Sequence, residues 1–145
     1  MAFGDRSAAD VEAWAREQDG RDRLARTLGI ELLEARPGYA RLAMTVTESV
    51  LNAHGMCHGG AIFSLADAGF FYACNSAGVP SVAAGCDINY LRPAKPGERL
   101  EVVVRERSRS RRSGLYDAEV RNAEGQLVAV MSGRAMAVNG AATGG

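Results

Sequence analysis

Residues 52–78 read NAHGMCHGGAIFSLADAGFFYACNSAG. From residue 60 to 77 the stretch consists of Ala, Gly and large apolar side chains, with Ser64 and Asp67 the polar members ahead of Asn75. A surface helix carries one apolar stripe opposite a charged face. This segment is apolar all round, so as a helix it is expected to be wrapped by the rest of the chain. Its length of about 18 residues and its abundance of Ala favour helix over strand. The polar ends and interruptions do not suit a membrane span.

Asp67 stands in the middle of that apolar surface. Stripping water from a carboxylate is costly unless it is paired. The plain reading puts Asp67 at a helix edge or beside an Arg from a strand. The sharper reading makes it a desolvated carboxylate whose raised basicity serves chemistry. His58, Gly59 and Gly60 open the helix, where first-turn amides lack intrahelical partners and the macrodipole is positive. Glycines let a ligand approach the backbone closely. Gly59 is therefore a natural place to hold a carbonyl oxygen as it becomes an oxyanion, although a tight loop-to-helix junction is the plainer use of two glycines.

Gly59 and Asp67 lie about 12 Å apart along one helix. A carboxylate and an oxyanion-holding amide must both sit about 3 Å from one reacting atom. Two antiparallel copies related by a two-fold axis meet that demand, with Gly59 of one chain facing Asp67 of the other. The expected assembly is a dimer at least.

Asn52, His58-Gly59-Gly60 and Leu65-Ala66-Asp67, followed by Tyr72-Ala73-Cys74-Asn75-Ser76 and Tyr90-Leu91-Arg92-Pro93-Ala94, resemble the hot-dog-fold acyl-CoA thioesterases, in particular the phenylacetate-pathway (PaaI-like) group. The resemblance covers residues 25–138 or so. His-Gly-Gly alone is a weak signal; with an acid at this spacing and the later Tyr-Leu-Arg-Pro-Ala it is a strong one. It implies an α+β hot-dog fold, a curved antiparallel sheet wrapped around one long central helix, preceded by an N-terminal helical segment. It also implies hydrolysis of an acyl-CoA, phenylacetyl-CoA or a hydroxylated relative, by a homotetramer of two hot-dog dimers. No metal and no cofactor are implied beyond the coenzyme A of the substrate.

The remaining sequence is read in the same terms. Residues 1–28 read as one or two amphipathic helices, starting at a Ser7 cap and ending at Gly29. Trp14 is the only tryptophan and is expected to anchor this segment onto the sheet or a neighbouring subunit. Residues 30–35 and 39–47 flank the turn Arg36-Pro37-Gly38 and read as strands. Residues 82–91 form a third, small and apolar in its first half, which would let it lie close to the helix. Alternation places a fourth strand at 100–105 and a fifth at 116–121, with a turn over 108–114 and a sixth strand at 127–138. That makes about six strands, antiparallel by their short connections. The chain divides into the helical segment 1–28, a hot-dog domain 29–138 and a disordered Gly/Ala-rich tail 139–145.

Seventeen basic and seventeen acidic residues argue against a general nucleic-acid surface, which needs a net positive field. No leader, lipidation motif or membrane span is visible, so a cytoplasmic protein is expected. Cys57, Cys74 and Cys86 have neither zinc nor redox spacing and read as reduced small hydrophobes; Cys57 beside His58 is a weak nucleophile–base pair. His54 and His58 lack a third metal ligand.

Asp67 is assigned as nucleophile or general base and the Gly59 amide as oxyanion donor. Asn52 matches the family's polar residue ahead of the glycines and would orient water or substrate, though Asn is also common in turns. His58 would steady the oxyanion loop. Relatives carry Ser or Thr after the helix, where this chain has Ala83 and Ala84, and Thr where it has Phe71, so the partners of the lytic water are not apparent. Five arginines crowd residues 105–112. Arg109, Arg111 and Arg112, with Gly114 beside them and Tyr90, Arg92, Pro93 and Lys95 from the earlier motif, form the expected coenzyme A site, since Arg forks match phosphate oxygens; a solvated hairpin is the plainer alternative. Phe63, Phe70, Phe71 and Tyr72 are core or aryl-pocket candidates. Two rivals remain: a hot-dog dehydratase or hydratase pairing a catalytic His with an acid, and a non-catalytic acyl-CoA-binding module.

Overall fold

The computed structural model describes residues 6–138. The elements in chain order are α1 (Ala8–Asp19), α2 (Arg23–Leu28), β1 (Glu31–Arg36), β2 (Tyr39–Thr45), α3 (Gly59–Asn75), β3 (Ser81–Tyr90), β4 (Arg99–Arg109), β5 (Ser113–Arg121) and β6 (Leu127–Ala137). A single turn of 3-10 helix, Glu48–Val50, precedes α3. The sheet runs β1-β2-β4-β5-β6-β3 with every neighbouring pair antiparallel. Helix α3 touches all six strands. This is the expected hot-dog architecture, one sheet wrapped on one helix.

Local chemistry sets the ends of the first helices. Ser7 caps α1 in a reciprocal box with Asp10 (3.1 and 3.0 Å), which satisfies two first-turn amides. Asp22 caps α2 by accepting the Ala25 N–H at 3.0 Å, and Gly29 closes that helix at φ 71°. The Trp14 ring stacks on Phe71 and meets Tyr72 edge-on, each at 6.0 Å, so α1 is tied to α3. The Arg16 guanidinium donates to the Leu32 and Leu33 carbonyls at 2.8 and 3.0 Å, which ties α1 to β1.

The underside of α3 buries Leu65, Ala66, Phe70 and Ala73. Gly69 lets the helix lie down on β4: a Cβ there would sit 2.8 Å from Val104 Cγ2. Helix α3 is not wrapped on every side, however. Phe63, Ser64, Asp67 and Phe71 form a stripe that stays partly open, at the i, i+4, i+8 spacing of one helical face. The sheet covers the other faces, and α1 and α2 reach this one only in part.

Two strands depart from expectation. β3 pairs with β6 alone and ends the sheet; it lies close to α3 as expected, yet residues 82–87 stay exposed. β4 and β5 continue through the expected 108–114 turn, leaving only residues 110–112 to connect them, with a register shift between Glu106 and Ser108. Charge alone does not break a strand whose partner continues beside it. The tail expected to be disordered lies outside the described residues. No helix among them is long and apolar enough to cross a membrane.

Candidate active site

The loop ahead of α3 is built from its own polar atoms. Asn52 Oδ1 accepts the His54 and Met56 amides at 2.9 and 3.1 Å. The Cys57 N–H donates to Ala94 O at 2.8 Å and the His58 N–H to Val50 O at 2.7 Å. The loop is thereby fixed to the segment that carries Arg92, Pro93 and Lys95.

The first turn of α3 can be accounted for amide by amide. Ala61 and Ile62 donate to the His58 carbonyl at 2.9 and 3.2 Å. Gly60 donates to the His58 side chain, at Nδ1, at 2.8 Å. The Gly59 N–H has no acceptor among the described residues. His58 is thus the helix cap, and it leaves one open donor at the positive end of the helix. Tyr90, expected at the coenzyme A site, holds this turn: its hydroxyl donates to Gly59 O at 3.0 Å.

Asp67 is half-buried in a groove of about 330 Å³ between α3 and α2. Phe63, Ser64, Ala68 and Phe71 line it from α3; Asp22, Leu24 and Ala25 line it from the α2 side, with Ile30 following. The Asp67 carboxylate has no hydrogen-bond or ion-pair partner among the described residues, which removes the plain reading of a strand arginine. Burial, and secondarily the nearby Asp22 charge, push its pKa above the ordinary Asp value. A carboxylate raised in this way is a better base and nucleophile than one in water.

The aromatic candidates divide cleanly. Phe63 and Phe71 line the groove, whereas Phe70 packs in the core against Tyr116 and Tyr72 is buried beneath α1. Cys57 is no nucleophile: burial pushes its thiol up to about 11, so the thiolate is scarce near neutrality. Sequence reading missed Asp22, Leu24 and Ala25. They come from a segment remote in the chain, and no pattern marks them as facing Asp67.

The expected coenzyme A residues fall into two groups. Arg92, Pro93 and Lys95 are exposed beside the loop that opens α3. Arg109, Arg111, Arg112 and Gly114 border a small hollow with Cys74 and Ala77, at the other end of α3. The two ends are about 24 Å apart. Gly114 is buried against the Tyr116 ring, where a Cβ would sit 2.8 Å away, and Arg109 is ion-paired with Glu106 at 3.4 Å. One protomer does not bring these groups together. A larger hollow, about 390 Å³, lies over the outer face of β4 and β5. Arg99 pairs there with Glu31 and Arg121 with Glu119, Arg105 lies over the Tyr39 ring, and the hollow reads as a solvated sheet face.

Residues 54–129 match the thioesterase superfamily model, and they contain the capped turn, Asp67 and the Tyr90 clamp. The chain belongs to the thioesterase superfamily. It is 42% identical to the acyl-coenzyme A thioesterase PaaI of Escherichia coli K12 over 123 residues, 85% of this chain and 88% of that protein. The solved structure of the E. coli PaaI protein superposes with a TM-score of 0.90 at 37% identity, covering 93% of this chain and 98% of that one. The smu.793 protein of Streptococcus mutans, solved bound to acetyl CoA, matches this thioesterase-superfamily chain with a TM-score of 0.74 at 27% identity, covering 76% and 89% of the two chains.

Proposed function

We propose that this chain hydrolyses acyl-CoA thioesters to free acid and coenzyme A, with Asp67 of one protomer and the Gly59 amide of its partner acting on one thioester carbonyl. The observation that carries the reading is an unpartnered, half-buried carboxylate facing an apolar groove, in a chain that also keeps one helix-start amide open. Family membership and a relative named as an acyl-CoA thioesterase support the reaction class. The amide stabilises the oxyanion as it forms. Asp67 acts either as nucleophile, giving a mixed anhydride that water opens, or as general base on that water. The thiolate leaves without needing a strong acid. Asn52, whose Oδ1 is taken up by its own loop, keeps its Nδ2 for water or substrate. His58, with Nδ1 accepting from Gly60, supports the turn rather than shuttling protons, which disfavours a His-dependent dehydratase.

The same distances support a two-chain assembly. The exposed β3 edge supports edge-to-edge pairing of two chains. With Gly59 of one helix level with Asp67 of the other, the partner's Arg109–112 hairpin extends about 12 Å past the start of α3. Arg92 and Lys95 stand beside the loop that opens α3, which supports coenzyme A phosphates held by both chains. The homotetramer is carried from the family resemblance. Phe63 and Phe71 suit an aryl acyl group such as phenylacetyl, and free thiols at all three cysteines suit the cytoplasm.

A thiol-release assay across aryl and straight-chain acyl-CoAs tests the reading. Release with the parent chain and a loss of at least about 100-fold in kcat for Asp67→Asn are expected. Unchanged turnover in that variant would end the assignment.

A further inference from the structure

The groove that holds Asp67 has two unlike walls. On the α3 side Phe71 is 40% exposed; across from it Leu24 on α2 is 59% exposed. Ala25, Ile30 and Ala68 are nearly covered and make the floor. Two large apolar side chains left open at opposite rims of a groove with an apolar floor mark a place where apolar matter binds. The groove contains two acids, Asp22 and Asp67, and no Lys, Arg or His.

Asp22 stands at the start of the α2 wall. Its orientation is fixed, because its carboxylate caps the helix through the Ala25 N–H at 3.0 Å. It also lies close enough to Asp67 to act on it electrostatically. An acyl tail ending in a carboxylate would enter a groove with two negative charges and nothing to neutralise its own.

We propose that the N-terminal segment is the specificity wall of the acyl groove, with Leu24 setting the size of acyl group admitted and Asp22 excluding acyl groups that carry a negative charge. The inference rests on the reading of Asp67 as the reacting acid. It assigns the groove to short or aromatic hydrocarbon acyl groups, in line with a volume of about 330 Å³, near the low end of ligand sites.

The test compares kcat/KM ratios for acetyl-, valeryl-, glutaryl-, phenylacetyl- and decanoyl-CoA in the full chain and in Leu24→Ala, Leu24→Trp, Asp22→Asn and Asp67→Asn. Leu24→Ala is expected to raise decanoyl over phenylacetyl about 10-fold, and Leu24→Trp to lower phenylacetyl over acetyl by about as much. Asp22→Asn keeps a competent helix cap and should raise glutaryl over valeryl several-fold. Melting curves matching the parent show that α2 is intact. Ratios that stay within about twofold in folded Leu24 and Asp22 variants, while Asp67→Asn is inactive, overturn the wall and leave the catalytic reading standing. An active Asp67→Asn overturns both.

Discussion

The Tyr90 hydroxyl donates to the Gly59 carbonyl at 3.0 Å, and its ring stands 3.2 Å from where a Cβ on Gly59 would be. The end of the third strand therefore rests on the turn that presents the open amide. A side chain at position 59 cannot be added without moving either the ring or the peptide.

Gly59→Ala is accordingly expected to displace that amide by a fraction of an ångström to an ångström. Misplacement on that scale costs on the order of 100-fold in rate. We expect kcat to fall by about that factor, with KM changed far less, because the donor matters most once the oxyanion forms. Steady-state kinetics beside a melting curve separate this from misfolding. A folded variant with parental kcat would show that the amide does not take part.

Asp67 should trade stability for activity. Its folded-state pKa lies above the ordinary value of 3.8, so between those values the folded chain binds a proton more tightly than the unfolded one. Stability from this group is then present at low pH and is lost as pH rises through the folded value. Asp67→Asn removes the loss. The variant should melt higher than the parent at pH 7, and the gap should close as the pH approaches 3.8. A variant that melts lower at neutral pH would mean that the carboxylate is paired after all.

The central helix and its start were legible because composition and an N-terminal His-Gly-Gly are local signals, and the strands because alternation is local too. Ser7 and Gly29 end their helices by side-chain and backbone rules that act within a few residues. What was hidden depends on long-range packing. Nothing in the stripe of Phe63, Asp67 and Phe71 says that it faces α2, because the apolar pattern of α3 looks the same on each side. The turn expected over 108–114 is shorter in the structure: Arg109 lies in β4, Ser113 and Gly114 lie in β5, and only residues 110–112 form the connection. Nothing in Tyr-Leu-Arg-Pro-Ala says that the Tyr90 phenol reaches back to the first turn of α3, which only the fold brings near.

The bare edge of β3 gives a prediction about assembly. Val82 is 52% exposed on that edge, and an open strand edge is a template for pairing that a charge blocks. The double variant Val82→Lys, Ala84→Lys is expected to shift the protein from dimer or tetramer to monomer by analytical ultracentrifugation. Thiol release should fall at least about 10-fold with it, since one protomer cannot put Gly59 and Asp67 on the same carbonyl. A fully active monomer would contradict the two-chain site.

Mixing two inactive variants gives the most direct answer about which chain supplies which group. Gly59→Val displaces the amide but keeps Asp67; Asp67→Asn loses the acid but keeps the amide in place. In a mixed dimer with sites across the interface, one site inherits both defects and the other inherits none. Random reassortment of equal amounts makes half the dimers mixed, so activity should return to about a quarter of the parental value. If both groups came from one chain, every site would keep a defect and mixing would restore nothing. Subunit exchange followed by thiol release measures this, with ultracentrifugation to verify that the mixed species has formed. Activity that stays at the level of the separate variants in a fully exchanged sample would place acid and amide on the same protomer, against the roughly 12 Å that α3 puts between them.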